Sequence, residues 1–162
     1  MKWIIMLAFY FLYWGICFLC TGTDKKNLAG LRSYPDTVQA RVREQLASGV
    51  PKAKSVPAIL LSNLVLFTVV FSVIGLAFGK ILDFDGYISA FLYFLLFGEG
   101  LGLFDLLIID LLWWRNTRRI RFSFLPEKEC YQDPAKHIGS FLRGIPLFAA
   151  VAALSALIVT LI

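Results

Sequence analysis

Three acidic residues lie inside one long apolar stretch, and they are the residues best suited to chemistry. Glu99, Asp105 and Asp110 interrupt a run that extends from residue 87 to residue 114. An ionisable group in hydrocarbon costs about 2.5–3.5 kcal/mol on insertion scales, so each acid needs a partner, a proton or water. The pattern predicts a site that handles protons or cations, with Asn63 on the preceding apolar run as a further lining residue.

Helical geometry separates the three acids. At about 100° per residue, Glu99 and Asp110 fall within about 20° of one face, whereas Asp105 points about 120° away from Glu99. Glu99 is also flanked by Gly98, Gly100 and Gly102. Small residues at this spacing favour close helix packing, which is the preferred interpretation. The alternative is a local break whose freed carbonyls line a polar cavity, as in discontinuous transporter helices.

A second group of candidates follows the acids directly. Behind the tryptophans at 113 and 114 comes a run of arginines, with one more farther along the chain: Arg115, Arg118, Arg119, Arg121 and Arg143. Each guanidinium offers a planar fork of donors that suits phosphate. The run predicts contact with anionic phospholipid headgroups. A dedicated pocket for an anionic substrate is the alternative, and there Asp110 or His137 is the candidate catalytic acid or base.

Metal and cofactor chemistry has little support in the sequence. His137 is the only histidine, so a histidine-rich metal site is excluded. No phosphate-binding glycine loop, dinucleotide fingerprint or zinc-protease motif occurs, and we therefore expect neither a metal nor a cofactor. The basic balance of the chain is explained by membrane topology, so no nucleic-acid partner is expected.

Part of the sequence resembles a group of small bacterial integral membrane proteins with four helices. The resemblance rests on residues 113–115 and 119–121, then on Tyr131-Gln132-Asp133 and His137-Ile138. It implies a bacterial inner membrane. The group has no established activity, so the resemblance transfers no functional residue to this chain.

The elements that must position these residues are membrane spans. The 162 residues are 59% hydrophobic, with a mean hydropathy of +0.73. Four apolar runs cover residues 3–20, 57–79, 87–114 and 145–162, and each is about long enough to cross a hydrocarbon core of roughly 30 Å as a helix. The sequence therefore predicts an all-α, polytopic protein: a single membrane domain over residues 1–162, with four transmembrane helices in an up-down bundle.

Charge gives the orientation. Most of the 16 lysines and arginines lie in the loops 21–56 and 115–144, whereas the hairpin after the second run holds only Lys80. Basic residues resist translocation, so both loops are expected in the cytoplasm and both termini outside. Within the first loop, Leu31, Val38, Val42 and Leu46 share one face. They predict a short amphipathic helix that rests on headgroups or caps the bundle and ends near residues 49–51.

Three functions remain open at this point. The leading one is a small transport or permeation component that uses Glu99 for proton or cation handling, as a homo-oligomer or with a membrane partner protein. The second is a membrane enzyme acting on a lipid-linked or phosphate-bearing substrate at the cytoplasmic face. The third is an accessory subunit whose acids pair with basic residues of a partner.

Overall fold

The fold was analysed in a computed structural model, which describes residues 1–46, 49–50 and 55–162. Its α-helices are, in chain order, α1 (Lys2–Leu19), α2 (Asp24–Ala29), α3 (Asp36–Leu46), α4 (Val56–Ala77), α5 (Gly79–Leu82), α6 (Gly86–Phe104) and α7 (Ala135–Leu161). Short 3₁₀ turns cover Leu31–Ser33 and Lys128–Tyr131. No strand occurs in the described ranges, where a single bridge joins Phe122 and Leu125. The predicted all-α class is confirmed.

Four of these helical segments are long and apolar enough to cross a membrane. They contain α1, α4, α6 with its continuation to Trp114, and α7. The chain is therefore a multi-pass membrane protein by length and composition. The lysines of the first loop at positions 52 and 54 lie outside the described residues, as does the proline at 51 where the amphipathic helix was expected to end.

The fourth span differs from its prediction. It was expected to begin near residue 145, but α7 begins at Ala135 and runs through Pro146 without a break. The Asp133 carboxylate accepts a hydrogen bond of 2.9 Å from the Ala135 amide, which fixes the start of the helix. Proline is tolerated within membrane helices because neighbouring groups satisfy the freed carbonyl, so the Gly-Ile-Pro sequence did not end this helix.

The chain divides into two compact units. The first, unit 1, contains Met1–Tyr10, Lys54–Leu103 and Phe141–Ile162, and the second, unit 2, contains Phe11–Ala53 and Phe104–Ser140. Unit 1 consists mainly of span residues. Unit 2 combines the ends of spans with both long loops.

Unit 1 is held by stacked phenylalanines. Phe71 and Phe97 are fully buried, and their ring centroids lie 4.6 Å apart with nearly parallel planes. The glycines fit around this core: a Cβ on Gly98 would lie 2.8 Å from the Phe148 ring, and one on Gly75 would lie 2.6 Å from Val159. Helix α6 stays α-helical through residues 98–102. The glycines therefore serve close packing against large side chains, and the alternative of a broken helix at this point is wrong.

Unit 2 has a hydrophobic core of its own, built from both loops. The first loop contributes Leu31, Tyr34, Val38 and Val42, and the rest comes from Trp114, Ile120, Phe122, Leu125 and Tyr131. The Tyr34 hydroxyl donates a 2.8 Å hydrogen bond to the Ile120 carbonyl oxygen. Burial, followed by the neighbouring Tyr131 hydroxyl, raises the pKa of the Tyr34 phenol, so this donor stays protonated at neutral pH.

The amphipathic helix was predicted correctly as α3, but its apolar face has a different role. Val38 and Val42 are fully buried in the core of unit 2, with Leu46 packed against it. The helix therefore serves as one wall of a folded core.

An ion pair also joins α3 to α7. The Nζ of Lys136 lies 2.7 Å from Oδ1 of Asp36, but the Asp36 side chain is 81% exposed, so this pair contributes little to stability.

Candidate functional site: a buried acid–histidine pair

The third span changes its helical form where its acids lie. From Asp105 to Trp114 the backbone is a π-helix, and the Arg115 amide donates to the Asp110 carbonyl oxygen five residues earlier at 3.3 Å. In this form residues five apart stack one turn above the other, whereas in an α-helix they lie about 140° apart. Asp105 and Asp110 are five apart. The π-helix thus brings to one side two acids that α-helical geometry had separated.

Asp110 pairs with the only histidine of the chain. Nδ1 of His137, near the start of α7, lies 2.8 Å from Oδ2 of Asp110, and the two side chains are 5% and 16% exposed. The Trp114 ring packs edge-on against the imidazole, with centroids 4.7 Å apart. Nε2 of His137 is buried and has no hydrogen-bond partner among the described residues. The carboxylate fixes one nitrogen, and the other is left available to take or give a proton.

Two side chains of α1 complete this cluster. Tyr13 and Cys17 are joined by a side-chain hydrogen bond, and both lie within electrostatic range of Asp105 and Asp110. Three elements therefore contribute side chains of unit 2 around the acids: α1, the π-helix with Trp114 at its end, and α7. The sequence identified Asp105, Asp110 and His137 as separate candidates. It did not predict that they come together, because the π-helix has no clear signal in the residue pattern.

Glu99 lies elsewhere. It belongs to unit 1, on α6, between the exposed Leu96 and Leu103. It makes no hydrogen bond or ion pair within the described residues. In the same unit, the Tyr10 hydroxyl donates to the Phe97 carbonyl oxygen at 2.9 Å. Asn63 is half-buried on α4 of the same unit. The predicted common face of Glu99 and Asp110 assumed α-helical geometry throughout the span, and the α-helical part of the span ends at Phe104.

The arginines divide between internal bonds and exposed positions. Arg119 donates from Nη2 to the carbonyl oxygens of Phe18 and Thr21 at 3.2 and 3.1 Å, and its guanidinium lies 3.8 Å from the Phe18 ring centroid. Arg121 donates to the Pro126 carbonyl oxygen at 3.2 Å. Arg118 and Arg143 are exposed, and Arg115 is half-buried. Two of the five predicted anion contacts are thus occupied by backbone carbonyls.

No group of three or more His, Cys, Asp and Glu side chains is placed to hold a metal ion in the ranges that the structure describes. Comparison with protein-family models, with curated proteins and with solved structures gives no match.

Proposed function

We propose that this protein is a proton-handling component of a membrane and that Asp110 and His137 are the groups that exchange the proton. The observation that carries the proposal is the contact of 2.8 Å between His137 Nδ1 and Asp110 Oδ2, in the π-helical end of a membrane span. Intramembrane acids paired with histidine are typical of proton relays, and π-helices occur frequently at functional sites.

The two imidazole nitrogens of His137 have different roles in proton exchange. Asp110 accepts the Nδ1 hydrogen and holds the ring, so Nε2 is the atom that takes up a proton. The resulting imidazolium is stabilised by the same carboxylate, and loss of the Nε2 proton returns the neutral imidazole beside the charged carboxylate. Asp105 and Tyr13 lie within electrostatic range of Asp110 and are the next residues that could take part. This assignment replaces Glu99 with Asp110 as the central acid of the leading function.

The orientation belongs to the same proposal. The loops 21–56 and 115–144 lie in the cytoplasm and both termini lie outside, because the basic residues concentrate in those loops. The membrane is a bacterial inner membrane, which is what the resemblance to small bacterial membrane proteins implies. Arg118 and Arg143, both exposed, are the residues left to contact anionic phospholipid headgroups.

Proton flux in proteoliposomes tests the proposal. Purified protein is reconstituted with an internal pH dye, and a potassium diffusion potential drives proton entry. His137→Gln and Asp110→Asn are expected to reduce the flux about tenfold or more, as loss of an acid–base group does elsewhere. Asp85→Asn is the matched control, since Asp85 is exposed in the hairpin before α6. Unchanged flux in His137→Gln, at equal folded protein, contradicts the proposal.

The unpartnered Nε2 of His137 favours one second candidate. A histidine oriented by a carboxylate through Nδ1 also has the arrangement of a general base in hydrolases and transferases. The substrate would then be phosphate-bearing, with Arg118 as the exposed anion contact of the same unit. Release of phosphate from phosphatidic acid in mixed micelles, lost in His137→Gln, distinguishes this enzyme from a proton pathway.

A further inference from the structure

One exposed stripe of α6 differs from the lipid-facing surfaces of the other spans. Its apolar members are Ile88, Leu92, Leu96 and Leu103, exposed by 65%, 56%, 49% and 47%. Glu99 stands among them: the 4-4-3-4 spacing of positions 88, 92, 96, 99 and 103 places all five within about 80° of one another on an α-helix. The exposed stripe of α4 through Leu61, Val65, Val69 and Val73 is apolar throughout.

Glu99 has no partner among the described residues of its own chain to explain its presence there. It lies near the middle of the 29-residue span Gly86–Trp114 and makes no hydrogen bond or ion pair within the described residues. A carboxyl facing lipid at this depth is strongly disfavoured, and intramembrane acids are found facing protein or water. A partner must therefore cover the stripe and supply the bond.

We infer that a second copy of this chain covers the stripe, with the two Glu99 carboxyls sharing protons across a symmetric interface. All copies insert in the same orientation, so a two-fold axis along the membrane normal pairs each position of the stripe with itself. Glu99 then meets Glu99 of the other copy at the same depth. An acid and a carboxylate form a short, charge-assisted hydrogen bond, and polar side chains of this kind join membrane helices.

The spacing of the stripe supports self-association. Leu92, Leu96, Glu99 and Leu103 recur at intervals of four, three and four, which is the seam pattern of two helices packed at a small crossing angle. No lysine or arginine occurs between positions 56 and 79 or between 86 and 114. These two spans therefore offer the Glu99 carboxyl no mid-membrane cation in another copy, and a second Glu99 is the group guaranteed to be level with it.

Cross-linking in proteoliposomes locates the interface. In a background with Cys17, Cys20 and Cys130 replaced by serine, Leu96→Cys is expected to form a dimer on oxidation with copper phenanthroline. Val69→Cys is the matched control, being 56% exposed on α4. Cross-linking at Val69→Cys that equals or exceeds that at Leu96→Cys overturns the proposal.

Dimer affinity, measured by energy transfer between labelled copies at increasing dilution in lipid, tests the role of the carboxyl. Glu99→Leu is expected to weaken the dimer by roughly three- to thirty-fold, the range of one hydrogen bond between membrane helices. Glu99→Gln, whose amide can pair with itself, should retain affinity within about threefold. A chain that stays monomeric at every dilution, or a Glu99→Leu dimer as tight as the parent, overturns the inference; the first outcome assigns the stripe to a different membrane protein.

Discussion

Arg119 was predicted to contact an anion, but its side chain contacts this chain's own backbone. Its position in a run of arginines predicts a contact with phosphate. Its guanidinium instead donates hydrogen bonds to the carbonyl oxygens of Phe18 and Thr21 and stacks on the Phe18 ring. The last carbonyls of a helix lack intrahelical partners, so a cation at the end of α1 satisfies them and interacts favourably with the helix dipole. The side chain also fills the space beside Gly22, where a Cβ would lie 2.7 Å from Arg119 Nη2 and where the φ of +105° is one that other residues rarely adopt.

We predict that Arg119→Gln lowers the free energy of unfolding in detergent by about 1–2 kcal/mol, the range for hydrogen bonds to a charged group with partial exposure. Arg118→Gln, one position earlier and exposed, is the control and should change stability little. Chemical denaturation followed by tryptophan fluorescence measures both variants. Equal stability of the two would mean that the Arg119 bonds contribute nothing.

At this scale the sequence identified the reactive residues but not their partners. Asp105, Asp110 and His137 stand out because charged groups are rare in apolar runs. Their meeting depends on a π-helical backbone and on the early start of α7, and neither can be read from the spacing of residues. The predicted common face of Glu99 and Asp110 rested on α-helical geometry, which ends before Asp105.

At the scale of elements, the loops do more than connect the spans. Helix α3 supplies Val38 and Val42 to a core whose other half comes from residues after the third span. Its 3.6-residue pattern predicted the helix itself correctly, since a local apolar face is encoded locally. What that face contacts is set by residues far along the chain, and the sequence pattern therefore could not decide between headgroups and protein.

We predict that Val42→Ala destabilises the hydrophobic core of unit 2. Truncating this fully buried side chain should cost about 2 kcal/mol and raise the reaction rate of the half-buried Cys130, which packs against the same core, roughly tenfold or more. The rate is measured with a thiol reagent in a background where Cys17 and Cys20 are serine. Thr37→Ala, exposed on the same helix, is the control. Equal Cys130 rates in the two variants would show that α3 rests on the bilayer surface instead.

At the scale of the whole molecule, four spans follow from hydropathy because lipid requires every backbone group to be satisfied within its segment. The division into two compact units was not predicted, since hydropathy does not show that two loops separated by two spans fold together. The direction of insertion is the property of the whole chain that most needs a direct measurement.

We predict that Asp85→Cys reacts with a membrane-impermeant thiol reagent in intact cells, whereas native Cys130 does not. Asp85 is the suitable hairpin position, because Asp83 adopts φ of 42° and Gly86 adopts φ of 74°. This expectation rests on the concentration of lysines and arginines in the loops 21–56 and 115–144, because basic residues resist translocation. Labelling of Cys130 with protection of Asp85→Cys would invert the topology and place both loops outside.

The core of unit 2 also sets an order of events during synthesis. Tyr34 bonds the carbonyl of Ile120, which is 86 positions later in the chain. At about 5–20 residues per second, the ribosome needs roughly 4–17 s to make that segment. During this interval the apolar face of α3 has no protein to pack against, and two more spans must enter the bilayer before its partner emerges. Nascent chains of this protein are therefore most vulnerable to proteases and most dependent on chaperones at the membrane surface while the third span is being inserted.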